Sequence, residues 1–204
     1  MNKGKPHSAP LPAHQGVLIV VSSPSGGGKT TIVNAVRKNM GLEYSVSTTT
    51  RPPRAGERNG VHYNFVSKEE FLMYIKEGRF LEWAEVHGHL YGTDREYIGN
   101  KLAEGKSVLL DIDVQGAMNL RRKLPGALLI FIAPPSVEAL EKRLRGRGAD
   151  SEESIRARLS QADFEISRSE FYDYKVVNED LETAIAEVEK IIKDKISAKQ
   201  ENTT

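Results

Sequence analysis

The sequence predicts an α/β protein in which a parallel sheet core carries helices on both faces. Short β-branched runs alternate with amphipathic segments of helical length, which is the pattern of crossover units that build a parallel sheet. Strands buried on both faces need continuous apolar runs, and the chain has them at 17–21, 108–113 and 128–133, with a fourth candidate at 174–177. A chain of 204 residues with 39% hydrophobic content can bury one substantial core of this kind.

Five helix-length segments accompany the strands, and several of them follow a Ser or Asp that can cap the first turn. They lie at 29–40, 114–123, 136–145, 151–169 and 181–196. Their alternation with the apolar runs supports the α/β assignment.

The stretch 48–99 interrupts this alternation. It opens with the Pro- and Arg-rich TTTRPPRAGERNG and continues through YNFV, a capping box of Ser67 with Glu70, and FLEWAEV. We predict an inserted substrate lobe here, between the two parts of the core at 16–47 and 100–197.

A second interruption, RLRGRGADSEES, places three arginines and two glycines between predicted helices. We predict a mobile basic lid at 143–160. Residues 1–15 lack the apolar stretch of a secretory signal and are predicted to form a flexible tail, and residues 198–204 are predicted to fray.

Composition argues against several classes of partner. Lys and Arg number 29 against 28 Asp and Glu, so no global field favours nucleic acid or an anionic membrane as a partner. No apolar run approaches the roughly 20 residues that a membrane span needs. The absence of cysteine removes disulfides, thiolate nucleophiles and Cys-based zinc sites, and a cytoplasmic protein is predicted.

The segment SPSGGGKT lies between the first predicted strand and the first predicted helix, and we call residues 23–30 the phosphate loop. It is close to G-x-x-x-x-G-K-[ST], in which backbone N–H groups and a helix N-terminus surround the phosphates of a nucleotide. Lys29 is predicted to reach the β- and γ-phosphates, and Thr30 to place its hydroxyl on Mg²⁺. The alternative is a glycine-rich turn with a surface lysine. The residues predicted to bind a nucleoside triphosphate here are Ser23, Pro24, Ser25, Gly26, Gly27, Gly28, Lys29, Thr30 and the adjoining Thr31.

Ser23 stands where the motif has its first glycine, so this tight turn must accommodate a side chain.

Two carboxylates end the apolar run at 108–113, and ligands of doubly wound sheets bind at the carboxyl ends of strands. Asp111 is predicted to support Mg²⁺ through water. For Asp113, a functional role and a helix-capping role are equally open.

Six motifs that follow the phosphate loop in order resemble the guanylate kinase family. They are SVSTTTRPPRAGERNGVHYNF, FLEWAEV, LYGT, LLDIDVQGA, FIAPPS and RLRGRG, and the resemblance covers roughly residues 16–193. It implies a Mg²⁺-dependent transfer of the terminal phosphoryl group of ATP to GMP, with dGMP as a further acceptor. It leaves both a monomer and a homodimer open.

The resemblance also implies which residues hold GMP. Glu82 would accept the guanine N1–H and N2–H₂ donors, since a carboxylate takes two hydrogens side by side, and Ser47 and Thr93 would add hydroxyls at the base edge. The phosphate would lie among forked arginine donors and neutral tyrosine hydroxyls. These are Arg51, Arg54, Tyr63 and Tyr91, with Asp113 as a further GMP-binding residue.

The lid arginines implied by the resemblance are Arg143, Arg147 and Arg158, which with Lys29 and Arg51 form the predicted catalytic set. Arginines that close over the migrating phosphoryl group stabilise its charge and exclude water. Arg145 is predicted to be a bystander, and Asn178 either contacts the adenine or is a turn residue.

The HGH sequence with His87 and His89 is predicted to be a turn, because a metal site needs further ligands. Trp83, within the alternating FLEWAEV strand, is predicted to be a packing residue. The rivals are a non-enzymatic guanylate-kinase-like module that binds phosphorylated peptides, against which Lys29 and Thr30 argue, and a phosphate-loop kinase with another phosphorylated acceptor.

Overall fold

The computed structural model describes residues 16–146 and 151–201. In chain order its elements are β1 (Leu18–Ser22), α1 (Lys29–Met40), β2 (Glu43–Tyr44), β3 (Thr48–Thr49), β4 (Asn64–Phe65), α2 (Lys68–Lys76), β5 (Phe80–Val86), β6 (His89–Asp94), α3 (Arg95–Ala103), β7 (Val108–Asp111), α4 (Val114–Lys123), β8 (Leu128–Ala133), α5 (Val137–Arg145), α6 (Glu152–Ser167), β9 (Tyr174–Val177) and α7 (Leu181–Glu201). A short 3₁₀ turn at Ser169–Phe171 joins α6 to β9.

The main sheet has five parallel strands in the order β2-β7-β1-β8-β9. β1 is its centre, and Val20 pairs with Leu110 of β7 on one side and Leu129 of β8 on the other. The strands β7 and β8, which flank β1, are apolar because both faces of the sheet are covered.

Successive β1 side chains enter two separate cores, as strand geometry requires. Leu18 and Val20 pack in the core that α3 and α4 cover. Ile19 and Val21 pack on the opposite face, which α1 and α7 cover. The predicted class, a parallel sheet with helices on both faces, is confirmed.

A second sheet of four strands, β4-β3-β6-β5, comes from the stretch in which an inserted lobe is predicted. β5 and β6 form an antiparallel hairpin, and a small core of Phe71, Phe80 and Leu90 packs beneath α2. His87 and Gly88 form the turn of this hairpin, so the turn predicted at HGH is confirmed.

Two sequence predictions need correction. β7 ends at Asp111, before the predicted end at 113, because Asp113 instead caps α4 by accepting the N–H groups of Gln115 and Gly116. Trp83 does not pack internally and is 41% exposed, because strand alternation turns its neighbour Glu82 inward.

The C-terminal end is predicted to fray from residue 198, and this stays a prediction. Helix α7 continues to Glu201, and the Lys199 ammonium donates to the Gly16 carbonyl at 2.8 Å. The predicted tail at 1–15, the lid residues 147–150 and the last three residues lie outside the described residues. Within the described ranges, no helix has both the length and the apolar character that crossing a membrane requires.

Candidate nucleotide-binding site

The phosphate loop connects β1 to α1, and its glycines are required for two different reasons. Gly26 and Gly28 have φ of 90° and 92°, a region that side-chain-bearing residues rarely adopt. Gly27 has no such backbone constraint, but a Cβ there would overlap the Ser23 hydroxyl. The loop therefore tolerates no side chain at these three positions without rearrangement.

Ser23 explains how the loop forms without its first glycine. Its side chain is buried inside the turn, where the hydroxyl donates to the Pro24 carbonyl at 3.1 Å. The same carbonyl accepts the Gly27 N–H at 2.9 Å. The hydroxyl thus lies in the space that the missing Cβ of Gly27 leaves open.

Asn178 supports the loop from behind. It follows β9, is 4% exposed, and its side-chain amide donates to the Gly27 carbonyl at 2.8 Å. Its own N–H donates to the Ala133 carbonyl at 2.8 Å, so the residue is anchored to the sheet. Its contact is with the loop backbone, and the predicted contact with adenine stays a prediction.

Lys29 and Asp111 form an ion pair beneath the loop. The Lys29 ammonium lies 2.5 Å from Asp111 Oδ1 and donates to the Ile112 carbonyl at 3.3 Å. Burial lowers the pKa of Lys29, but the charge and hydrogen bond of Asp111 outweigh burial and leave that pKa raised. Lys29 therefore stays charged, as a phosphate-binding lysine must.

Thr30 and Asp111 line the same cavity and offer a hydroxyl and a carboxylate. Mg²⁺ prefers oxygen ligands and takes few of them from the protein when phosphates supply others. No group of three or more His, Asp or Glu suited to a metal occurs within residues 16–146 and 151–201. The two oxygen donors fit a magnesium ion that is shared with nucleotide phosphates.

One cavity of about 320 Å³ joins the phosphate loop to the second sheet. Its wall brings together all the predicted residues of the loop and many of those predicted for GMP. The latter are Ser47, Tyr63, Glu82, Tyr91 and Asp113. The predicted residues that do not line it are Arg51, Arg54, Thr93, Arg143, Arg158 and Asn178.

Glu82 is a buried carboxylate on β5 and is 3% exposed. Its Oε1 accepts the Thr93 hydroxyl at 2.6 Å, and its Oε2 has no hydrogen-bond partner in the part of the chain that is described. Burial raises the pKa of Glu82 to about 7, against the opposing effect of the Thr93 hydrogen bond. A buried carboxylate with a free oxygen is suited to a ligand that supplies N–H donors.

Arg51 lies in a network at the edge of the second sheet. Its Nη2 donates to both Glu57 oxygens, at 2.8 and 2.9 Å, and its guanidinium stands 5.3 Å from the centre of the Tyr63 ring. The Tyr63 and Tyr91 rings meet edge to face at 5.9 Å. The Arg54 side chain is exposed, but its N–H donates to the same Glu57 carboxylate at 2.7 Å.

Glu57 is a residue that the sequence analysis missed. The available signal was an acidic residue inside an arginine-rich loop, which can hold arginines in place through charge-assisted hydrogen bonds. One carboxylate here orients both the Arg51 guanidinium and the Arg54 backbone.

Arg143 on α5 reaches toward the loop through Asn178. Its Nη2 donates to the Asn178 carbonyl at 2.8 Å, and its Nη1 is buried with no hydrogen-bond partner among the described residues. Arg145 is exposed and pairs with Glu141 at 2.8 Å and with Glu152, as expected of a bystander. Arg158 lies on α6, and Arg147 falls outside the described residues.

Glu165 is a second missed residue. It lies on α6, lines the cavity and is 9% exposed, and its Oε2 has no hydrogen-bond partner among the residues described. Burial raises its pKa to about 7, opposed by hydrogen bonds from Gln161 and from the Ser25 backbone. The sequence offered little signal, because a glutamate within an amphipathic helix is ordinarily solvent-exposed.

Comparison with known proteins gives one consistent result. The model of the family described as "Guanylate kinase" matches residues 15–195. Guanylate kinase of Carboxydothermus hydrogenoformans is 45% identical over 93% of this chain and 94% of its own, and that of Escherichia coli (strain K12) is 50% identical over 88% of each. A crystal structure of guanylate kinase from Anaplasma phagocytophilum is 40% identical, covers 88% of this chain and 85% of its own, and has a TM-score of 0.74.

Proposed function

We propose, because the chain belongs to the guanylate kinase family, that it transfers the terminal phosphoryl group of ATP to GMP and releases ADP and GDP. The observation that carries this proposal is a single cavity that joins a phosphate loop, with its lysine, to a buried carboxylate on the second sheet. dGMP presents the same base and phosphate and is proposed as a second acceptor.

The phosphate loop binds the donor. Its N–H groups and the N-terminus of α1 bind the phosphates of ATP. The Lys29 ammonium leaves its ion pair with Asp111 and binds the β- and γ-phosphates. Thr30 and Asp111 would hold Mg²⁺, which supplies neutralisation of the charge that develops on the phosphates. Lys29 and the loop backbone keep the phosphoryl group aligned for in-line transfer.

Glu82 selects the acceptor base. Its carboxylate accepts guanine N1–H and N2–H₂, while adenine would present an N1 acceptor and be repelled. The Thr93 hydroxyl fixes one carboxylate oxygen by its 2.6 Å hydrogen bond, and Ser47 lines the cavity near the base edge. The Glu82 carboxylate is therefore oriented by Thr93 before GMP binds.

The GMP phosphate binds at the Arg51 network. Arg51 is oriented by Glu57 and by the Tyr63 ring, and Tyr91 and Tyr63 supply neutral hydroxyl donors. Arginine forks are matched to phosphate geometry, so preorganised donors of this kind hold the acceptor oxygen in line with the γ-phosphate.

The lid completes the transfer in this proposal. Arg143, Arg147 and Arg158 close over the migrating group, stabilise the charge on its oxygens and exclude water that would otherwise hydrolyse ATP. A cytoplasmic location is part of the same proposal and is consistent with the cysteine-free composition.

Two substitutions test the division of labour between the donor and acceptor sides. Lys29→Met removes the positive charge that stabilises the transferred phosphoryl group, and we expect kcat to fall by about 10²- to 10³-fold. Glu82→Gln replaces an acceptor-only group with an amide that places a donor against guanine, and we expect the KM for GMP to rise by about tenfold or more. Steady-state ADP formation measures both effects.

The matched controls are Lys38→Met, on the exposed side of α1, and Glu85→Gln, on the exposed side of β5. Both should leave kcat and KM within about twofold, because surface substitutions away from special features change little. Undiminished GMP turnover in both Lys29→Met and Glu82→Gln would refute the assignment.

A further inference from the structure

Gly116 lies in the first turn of α4, directly against the free oxygen of Glu82. A Cβ built on Gly116 would stand 2.8 Å from Glu82 Oε2 and 3.4 Å from Glu82 Cδ, with Asp113 Oδ2 also 3.4 Å away. A carbon–oxygen separation of 2.8 Å is well inside ordinary contact distance. The carboxylate keeps its position only because residue 116 has no side chain.

Backbone geometry offers no other reason for this glycine. Gly116 lies inside a helix and is not among the described glycines with positive φ. Its N–H donates to Asp113 Oδ1 at 3.1 Å, a contact that any residue but proline can make. Glycine inside a helix is destabilising relative to alanine, so the position is explained by the space it leaves and not by helix formation.

The space matters for one atom in particular. The Thr93 hydroxyl holds Glu82 Oε1 by a hydrogen bond of 2.6 Å. A methyl group at position 116 would therefore turn the carboxylate group so that Oε2 moves while Oε1 keeps its hydrogen bond. Oε2 is the end of a flexible side chain and can give way without disturbing the backbone. The substitution would therefore change the orientation of the Glu82 carboxylate group and leave the backbone in place.

We propose that Gly116 is a positioning residue for guanine specificity, which leaves room for Glu82 to present both carboxylate oxygens to the two N–H donors of the base. This inference rests on the proposed function, in which Glu82 reads guanine. The helix α4 thereby takes part in acceptor selection although its residue 116 carries no functional group.

The proposal makes a prediction that depends on the base. Guanine offers two donors, at N1 and N2, whereas the hypoxanthine base of inosine monophosphate (IMP) offers the N1 donor alone. In this proposal Oε1, which Thr93 holds, accepts N1–H, and Oε2 accepts N2–H₂. Displacing Oε2 therefore removes the one hydrogen bond that hypoxanthine cannot make, and it weakens GMP binding more than IMP binding. A general disturbance of the fold would weaken both nucleotides alike.

The test is Gly116→Ala, assayed with GMP and with IMP in the full-length protein. We expect the KM for GMP to rise about tenfold with kcat changed by less than about threefold, and the preference for GMP over IMP to fall by a similar factor. The melting temperature should be unchanged or higher, since alanine favours the helix. Gly126→Ala is the matched control, because a Cβ at 126 meets nothing within 4 Å.

A double-mutant cycle with Glu82→Ala separates this inference from the function on which it rests. In the Glu82→Ala background the methyl group has no carboxylate to displace, so Gly116→Ala should no longer change the KM for GMP. An equal rise in both backgrounds, or no rise in either, would overturn the role of Gly116. If Glu82→Ala itself leaves the KM for GMP unchanged, the assignment of Glu82 as the guanine reader fails instead.

Discussion

Burial of the Glu82 carboxylate raises its pKa to about 7, so this side chain changes charge within the range of ordinary enzyme assays. Guanine needs the ionised carboxylate, because a protonated oxygen would meet the N–H donors with a hydrogen of its own. The ionised fraction falls as the pH drops through 7. Acceptor binding is therefore coupled to pH through one residue.

We expect the KM for GMP to be flat above pH 8 and to rise roughly tenfold between pH 8 and pH 6, as the ionised fraction declines. The measurement is the KM for GMP across that range at saturating ATP. Because GMP loses its own phosphate proton at a pKa of about 6 and the pKa of Glu165 is also about 7, a control must separate these groups. Glu82→Gln keeps both other titrations, and a rise of equal size in that variant would rule out Glu82 as the cause.

At the residue scale, the sequence predicts roles for the residues whose chemistry is local. Lys29 and Thr30 follow from a contiguous motif, and the role of Glu82 follows from resemblance. Gly116 and Glu57 were missed because their importance lies in contacts made in three dimensions, such as the approach of Gly116 to a strand over 30 residues away in sequence. A glycine in a helix gives no sequence signal of such a contact, and an acidic residue in an arginine-rich loop does not show which arginine it contacts.

The phosphate loop is an element whose shape depends on a distant strand end. Asn178 donates its side-chain amide to the Gly27 carbonyl, and no other described side chain makes this bond. Asn178→Asp has nearly the same shape but cannot donate, and it adds a negative charge beside bound phosphates. We expect the KM for ATP to rise by about tenfold or more, with a smaller change in the KM for GMP.

The control for this prediction is Asn39→Asp, at an exposed hydrogen bond with Glu189 on the far end of α1. It adds the same charge away from the loop and should leave the KM for ATP within about twofold. Equal effects of the two substitutions would show that charge alone, and not support of the loop, is responsible.

Helix α5 carries one arginine that is partly buried near the phosphate loop and one that is exposed. The Arg143 guanidinium donates to the Asn178 carbonyl and has a buried Nη1 with no partner among the described residues, whereas the exposed Arg145 pairs with Glu141 and Glu152. We expect Arg143→Lys to lower kcat by about tenfold or more, because the planar fork is lost. Arg145→Lys should stay within about twofold, since exposed ion pairs contribute little. The reverse order of the two kcat values would contradict the lid assignment.

The boundaries of elements were predicted less well than their existence. The apolar run at 108–113 reads as one strand, yet Asp113 forms the cap of α4 and the strand ends at Asp111. Trp83 was predicted to be a packing residue, while the alternation of β5 gives the inward position to Glu82 and leaves Trp83 41% exposed. In both cases a carboxylate with a defined hydrogen-bonding task overrode the apolar pattern.

At the scale of the whole molecule, the parallel class was predictable because strands covered on both faces must be apolar throughout. The strand order β2-β7-β1-β8-β9 was not, since side-chain patterns record burial and not neighbours. The cavity could not be predicted from the sequence either, because it lies between the main sheet and the second sheet and its lining residues extend from 23 to 165. Its position between two cores suits an enzyme that closes over two nucleotides at once.

The most direct measurement is ADP formation from ATP and Mg²⁺ with GMP, dGMP, AMP, CMP, UMP or dTMP supplied separately as the acceptor. We expect rapid ADP formation with GMP, turnover with dGMP, and a rate with the other four close to that of ATP alone. Preferential turnover of any nucleotide without a guanine base would contradict the reading of Glu82 and with it the proposed reaction.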